Sequence, residues 1–291
     1  MSETEPLFRN VSDTALWAAM YRARETERKD ALFHDPLARR LAGERGERIF
    51  SVLPAKDQHS WAWVMRTVLF DRYITEQVAQ GVDLIINLAA GLDARPYRMD
   101  LPPSLRWVEV DLPGLIDYKE EVLRGEKPVC ELERVRLDVS DVEARRALFQ
   151  ELDRKATKAM ILSEGLIIYL TTEEVASLAR DLAAPRSFQR WATDVGSPGL
   201  VRMLSRQKVG KHLVQASAPL QFGPPEKAEF FVPYGWRPAQ VRSIFHSAGE
   251  AKRLPFLMSF FAKLPERKDP TGKQPWSVAC LFEKALEKVS G

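Results

Sequence analysis

Residues 84–93 read LIINLAAGLD, and residues 107–112 read WVEVDL. The first is a five-residue apolar run that ends in small residues; the second ends on an aspartate. Strands covered on both faces of a parallel sheet read this way, as short apolar runs rather than as alternating ones. The next segment, 113–124, starts on Pro113 and is followed by Gly125, the residues that favour the two ends of a helix. The same alternation continues. A third strand is expected over 135–139. Ser140 and Glu143 have capping-box spacing and open a helix to about residue 155. A fourth strand covers 160–163. Thr171 and Glu174 form a second capping box for a helix to about 184, and a fifth strand covers 188–195. Strand, helix, strand, helix predicts an α/β fold with a doubly wound, mostly parallel sheet.

The pattern changes on either side of this block. Residues 1–80 read as helical and are expected to cover the core as part of the same domain. Ser12 or Asp13 is placed to cap a helix carrying Leu16, Met20 and Ala23, and His34-Asp35-Pro36 marks a turn and restart. A helix is expected over 61–80, with Gly81 as its stop. Residues 81–291 form the core, interrupted at about 196–236 by a segment rich in Pro and Gly. Connections this long are often lids or binding loops. A helix over 238–248 and two closing antiparallel strands, 253–262 and 276–282, bring the expected sheet to seven strands. Ser290 and Gly291 read as a frayed tail.

Composition narrows the class. The chain has 291 residues, 45% hydrophobic and 29% charged, which excludes global disorder. A formal charge of +3 gives no electrostatic case for nucleic acid. Two cysteines, Cys130 and Cys280, can build neither a disulfide scaffold nor a cysteine-rich zinc site. The N-terminus lacks a signal-peptide pattern, and the apolar stretch at 159–170 is broken by Ser163, Glu164 and Gly165. A soluble cytoplasmic protein, not bound to a membrane, is expected.

Ligands of open α/β sheets bind beyond the C-terminal ends of the strands. Ala89, Ala90 and Gly91 follow the first strand and allow close approach to the backbone. Asp111 ends the second, twenty residues beyond Gly91, where a carboxylate accepts hydrogen bonds from a ribose diol. Asp138 and Val139 end the third and suit an adenine, and Glu164 and Gly165 end the fourth. Dinucleotides need a glycine-rich turn for their pyrophosphate, and here only Gly91 is glycine. Acidic groups at three strand ends repel phosphate. They suit a phosphate-free, cationic nucleoside such as S-adenosylmethionine.

Residues 87–99 (NLAAGLDARPYRM), 108–113 (VEVDLP) and 163–170 (SEGLIIYL) resemble the leucine carboxyl methyltransferase family and its bacterial relatives. So do 14–25 (TALWAAMYRARE), 31–38 (ALFHDPLA) and 65–74 (MRTVLFDRYI), with a weaker echo at 234–236 (YGW). The resemblance spans about residues 11–195. It implies a Rossmann-like class I methyltransferase with an N-terminal helical extension, a lid and S-adenosylmethionine as cofactor. It also implies that Arg66 pairs with the methionine carboxylate, that the backbone of Ala89, Ala90 and Gly91 faces the methionine, and that Asp93 lies close by. Asp111 with Leu112 would hold the ribose, Asp138 and Val139 the adenine, and Glu164 the ammonium or sulfonium end. Ala89 departs from the family, where glycine is common.

Each assignment has a structural alternative: Asp111 as a helix cap, Asp138 as a turn residue, Arg66 as a surface charge. Arg22 and Arg24 read as ion-pair residues, Asn87 as a buried backbone partner, and Trp61 and Trp63 as core. His34, His59, His212 and His246 share no metal-ligand spacing, and no metal is expected. Only His212 and His246 lie near enough to the lid to serve as a base. A carboxylate acceptor needs no base at neutral pH, whereas a hydroxyl does. The expected activity is therefore O-methylation, with the carboxylate of a small metabolite ahead of a hydroxyl or a protein C-terminus. The resemblance to bacterial members places such an enzyme in secondary metabolism. The competing readings are a nicotinamide-dependent dehydrogenase on a related sheet and a non-catalytic nucleoside-binding protein of the same fold.

Overall fold

The computed structural model describes residues 6–53, 60–264, 269 and 271–285. Three helices come first: α1 (Asp13–Thr26), α2 (Ala38–Val52) and α3 (Ser60–Ala79). The sheet block follows as β1 (Leu84–Leu88), α4 (Arg95–Arg98), β2 (Arg106–Asp111), α5 (Pro113–Val122), β3 (Glu131–Arg136), α6 (Val142–Lys155), β4 (Ala159–Ser163), α7 (Thr172–Ala183) and β5 (Phe188–Gly196). The remainder is α8 (Pro198–Arg206), α9 (Lys208–Gln215), β6 (Trp236–Ser243), α10 (Ile244–Glu250), α11 (Phe256–Phe261) and β7 (Ser277–Lys284).

The seven strands lie in the order β3-β2-β1-β4-β5-β7-β6. The first five are parallel, and β7 runs antiparallel between β5 and β6. Strand order reverses at β1, which has β2 on one side and β4 on the other, so the crevice of this doubly wound sheet opens there. β1 and β4 are buried along their whole length, as their unbroken apolar runs require. One core cluster packs α6 and α7 on one face of the sheet, and a second packs α3 and α10 on the other. A third joins α1 and α2 to α5, α9 and the loop after β1. No described helix is long and apolar enough to cross a membrane.

Several elements differ from expectation, each for a local reason. The third strand is residues 131–136, not 135–139; as an edge strand with one neighbour it alternates in exposure, so only its apolar end stood out. The stretch 238–248 is not one helix. Its first half is edge strand β6, where Pro238 is tolerated, and α10 starts only at Ile244. The seventh strand is therefore 236–243, and the expected strand 253–262 is instead the short helix α11 behind Pro255. Thr171 and Glu174 form the expected capping box, with each side chain bonding the other residue's amide. Ser140 does not cap α6: Asp141 does, accepting the Ala144 amide at 3.0 Å. Ser12 occupies the N-cap of α1 without a side-chain bond, while Asp13 pairs with Arg45. Residues 196–236 fold as α8, α9 and a stretch of 3-10 helix over Lys227–Tyr234. Ser290 and Gly291 lie outside the described residues.

Candidate active site

A cavity of about 900 Å³ lies beyond the C-terminal ends of β1, β2, β4 and β5, walled by α1, α3, α8 and α9. Arg66, Ala89, Ala90, Gly91, Asp93, Asp111, Leu112, Asp138, Val139 and Glu164 all line it. The strand ends and one helix of the extension thus converge on one volume.

The turn after β1 is tight. Ala89 and Gly91 have positive φ, 49° and 53°. A side chain on Gly91 would meet the Cβ of Ala15 on α1 at 3.2 Å, so glycine lets the extension close against this loop. The Asp111 carboxylate holds the turn from β2: Oδ2 accepts the Gly91 amide at 2.6 Å and Oδ1 the Leu112 amide at 2.7 Å. Neither amide belongs to α5, so Asp111 is not a cap of that helix. A carboxylate has about four lone-pair sites, so two remain for a ligand. Burial raises the Asp111 carboxyl above its ordinary value, against the pull of those two amides. Asp138 stands at the exposed rim and accepts the Ser140 amide at 2.8 Å, so it is a turn residue as well as a lining one.

The far side of the cavity is a buried ion network. Arg66 gives Nε to Glu164 at 3.0 Å and Nη1 to Asp194 at 3.3 Å. Its guanidinium lies 4.7 Å from the Trp63 ring. Arg66 is therefore no surface charge, and among the described residues its Nη2 makes no hydrogen bond. Arg95 binds the second oxygen of Glu164 at 2.8 Å, together with Asp93 and Asp71. Burial alone would raise the Glu164 carboxyl; Arg95 and Arg66 outweigh it and hold it below its ordinary value. Asp93 behaves alike: it is buried, yet Arg95 holds its carboxyl well below the usual range. Asn87, buried as expected, donates to Asp93 at 2.9 Å. Gly165 (φ 69°) passes beneath Arg66, where a Cβ would lie 3.2 Å from Nη1, and its amide donates to Asp194 at 2.6 Å.

Some of these groups were missed in the sequence. Asp194 sits near the end of β5, the strand end left unread there, although the same rule applies to it. Trp61 and Trp63 pack on core clusters as expected but also form cavity wall. Tyr169 lines the cavity as well, and burial raises its phenol. Arg22 is structural, bonding Asp35 and the Leu92 carbonyl, and Arg24 pairs with Glu27. The histidine candidates do not reach the site: neither His212 nor His246 is in the lining. His246 is engaged by Ser243 and the Leu264 carbonyl. His34 is exposed and outside the lining, and His59 lies outside the described residues.

Comparison with known proteins agrees with this geometry. Residues 15–183 match the model of the leucine carboxyl methyltransferase family. A candidate S-adenosyl-L-methionine-dependent methyltransferase of Frankia alni is 35% identical over 199 residues, covering 65% of this chain and 70% of that one. A second from the same organism is 31% identical over 264 residues, 84% of this chain and 89% of the relative. Among solved structures, a DUF574 family protein from Streptomyces avermitilis superposes with a TM-score of 0.59 at 14% identity, covering 93% of this chain and 97% of that one. A candidate methyltransferase from Thermobifida fusca gives 0.58 at 16% identity, with 96% of each chain covered. At such low identity the two structures bear on the fold alone.

Proposed function

The chain belongs to the leucine carboxyl methyltransferase family, and from that premise we propose that this S-adenosylmethionine-dependent methyltransferase methylates a carboxylate on a small molecule. The observation that carries the acceptor is the absence of a poised base among the described lining residues. No described histidine lines the cavity. Glu164 has both oxygens taken by arginines, and its carboxyl is held low. Asp194 has one oxygen on the Gly165 amide and the other on Arg66. Tyr169 remains a neutral phenol at neutral pH, because burial raises it. Asp93 is paired with Arg95, and in this reading Asp111 and Asp138 are committed to the cofactor, so a hydroxyl acceptor would have to lose its proton to a group already engaged. A carboxylate is already anionic and needs only to be held in line with the methyl donor.

The donor set fits the cofactor. Asp111 keeps two lone-pair sites beside its bonds to the Gly91 and Leu112 amides, enough for a ribose diol. Asp138 and Val139 line the cavity and would take the adenine, and the Ala89, Ala90 and Gly91 backbone would face the methionine portion. The Nη2 group of Arg66 is available for a carboxylate, while Glu164 and Asp93 supply negative charge toward the cationic end. When bound, S-adenosylmethionine supplies a methyl group already activated by its sulfonium. The protein's part is orientation and exclusion of water. The dehydrogenase reading is not favoured: the helix after the β1 turn has four residues and offers no pyrophosphate site.

The test is transfer of labelled methyl from S-adenosylmethionine to matched pairs of carboxylic acids and alcohols. Methyl esters release methanol in mild alkali, and ethers do not. Label appearing in alkali-labile product, and only with the acids, is expected. Label held in alkali-stable product from the alcohols would overturn the carboxylate assignment.

A further inference from the structure

The cavity has two chemically different ends. Its described charged residues come from α1, α3, α4 and the strand ends with the loops that follow them. The segments α8, α9, 217–221, α11 and 275–277 also line it and contribute no charged side chain. Met203, Leu204, Leu213, Met258 and Trp276 make this second end mostly apolar, with only Gln207, Gln221 and two serines as polar side chains. The indole nitrogens of Trp61 and Trp276 have no hydrogen-bond partner among the described residues. Among the described residues, this wall carries no charged side chain. At about 900 Å³ the cavity is near the upper end of the range for small-ligand sites, roughly 300–1,000 Å³, so it has room beyond a nucleoside cofactor.

The apolar surface continues outside. Helix α11 sends Met258 into the lining and turns Phe256, Leu257, Phe260 and Phe261 toward solvent, with Phe256 91% exposed. A polar or multiply charged acceptor would lose its hydration in such a pocket with few polar groups and no described charge to replace it. An apolar body would gain with every methylene buried.

We propose that the acceptor is a lipophilic monocarboxylic acid: an aliphatic body held by the α8, α9 and α11 wall, with its one carboxylate directed to the strand ends. This rests on the methyltransferase reading above and sets its substrate class. The balance is simple. The carboxylate oxygen forms a bond to the methyl carbon, the carbon–sulfur bond breaks with its electron pair going to sulfur, and a neutral methyl ester leaves with S-adenosylhomocysteine.

The experiment titrates hexanoate, decanoate, dodecanoate and a short hydrophilic peptide ending in leucine into protein saturated with S-adenosylhomocysteine. Methyl-ester formation from S-adenosylmethionine is measured in parallel. Dodecanoate should bind at least about tenfold tighter than hexanoate and be the better substrate, and the peptide should do neither. Met203→Glu places an anion in the apolar wall at a half-buried position. It should remove the chain-length gain while leaving S-adenosylhomocysteine affinity unchanged. Binding independent of chain length, or no acid bound at all, overturns the acceptor class, as does a peptide that matches dodecanoate. Failure of the wild type to bind S-adenosylhomocysteine is a separate result, which removes the cofactor reading beneath it.

Discussion

Ala89 stands in the tight turn after β1. Its φ of 49° is left-handed, a region that costs an L-residue about 1–2 kcal/mol and glycine almost nothing. The strain gives a physical reason for the glycine that the family resemblance led one to expect at this position. Ala89→Gly should therefore stabilise the fold by about 0.5–1 kcal/mol, once the extra freedom of glycine in the unfolded chain is subtracted. Urea denaturation reads this directly, and a destabilised variant would show that the methyl group packs usefully. The residues gathered at the cavity were legible because strand ends in a parallel sheet are where chemistry collects, and Gly91, Asp111, Asp138 and Glu164 each end a recognisable run. Asp194 follows the same logic and was overlooked. The Arg66–Glu164–Arg95 network was not legible, since it joins residues 69 and 98 positions apart whose side chains meet only in the fold.

At the level of elements, legibility followed burial. Strands β1, β2 and β4 are covered on both faces and announce themselves; β3 and β6 are edges and do not. An edge strand alternates and carries polar side chains, and β6 holds a proline, so its pattern passed for a helix start. What fixes α5 against the sheet was equally hidden. Lys119 and Glu109 are both fully buried and meet at 2.8 Å, and Arg134 on β3 reaches the other oxygen of Glu109 at 2.9 Å. Glu109 lies two residues before Asp111, so this pair also steadies the strand end that holds the β1 turn. Glu109→Gln leaves the Lys119 ammonium buried without its counter-charge and should cost about 3–5 kcal/mol. Lys119→Met should cost less, because Arg134 still neutralises the glutamate. Denaturant midpoints for the two variants give the comparison, and a Glu109→Gln loss under about 1 kcal/mol would mean the charge is compensated elsewhere.

For the whole molecule, the extension and the core are tied together by charge as well as by packing. Asp71 on α3 binds Arg95 and Arg98, and Glu25 on α1 binds Arg253 beyond α10. The third core cluster draws on both parts. This arrangement makes acidification act in two stages. Arg95 overcomes burial to hold Asp93, and Arg95 with Arg66 to hold Glu164, below their ordinary values, so these two bind fewer protons folded than unfolded. Their contribution to stability is present above the ordinary carboxylate range and is lost as pH falls through the depressed values. Asp111 has the opposite sign. Burial raises its carboxyl above its ordinary value, so it takes up a proton before those two, and that proton relieves a buried charge instead of weakening the fold. Protonated Asp111 is a poorer acceptor for ribose hydroxyls. Affinity for S-adenosylhomocysteine should therefore fall at a higher pH than the one at which the protein unfolds. Calorimetry and far-UV circular dichroism across the same acid series separate the two events, and Asp111→Asn, weaker throughout, should lose the earlier one. If affinity and ellipticity fall together in the wild type, the cofactor does not depend on the charge of Asp111, and the ribose must be held by another group.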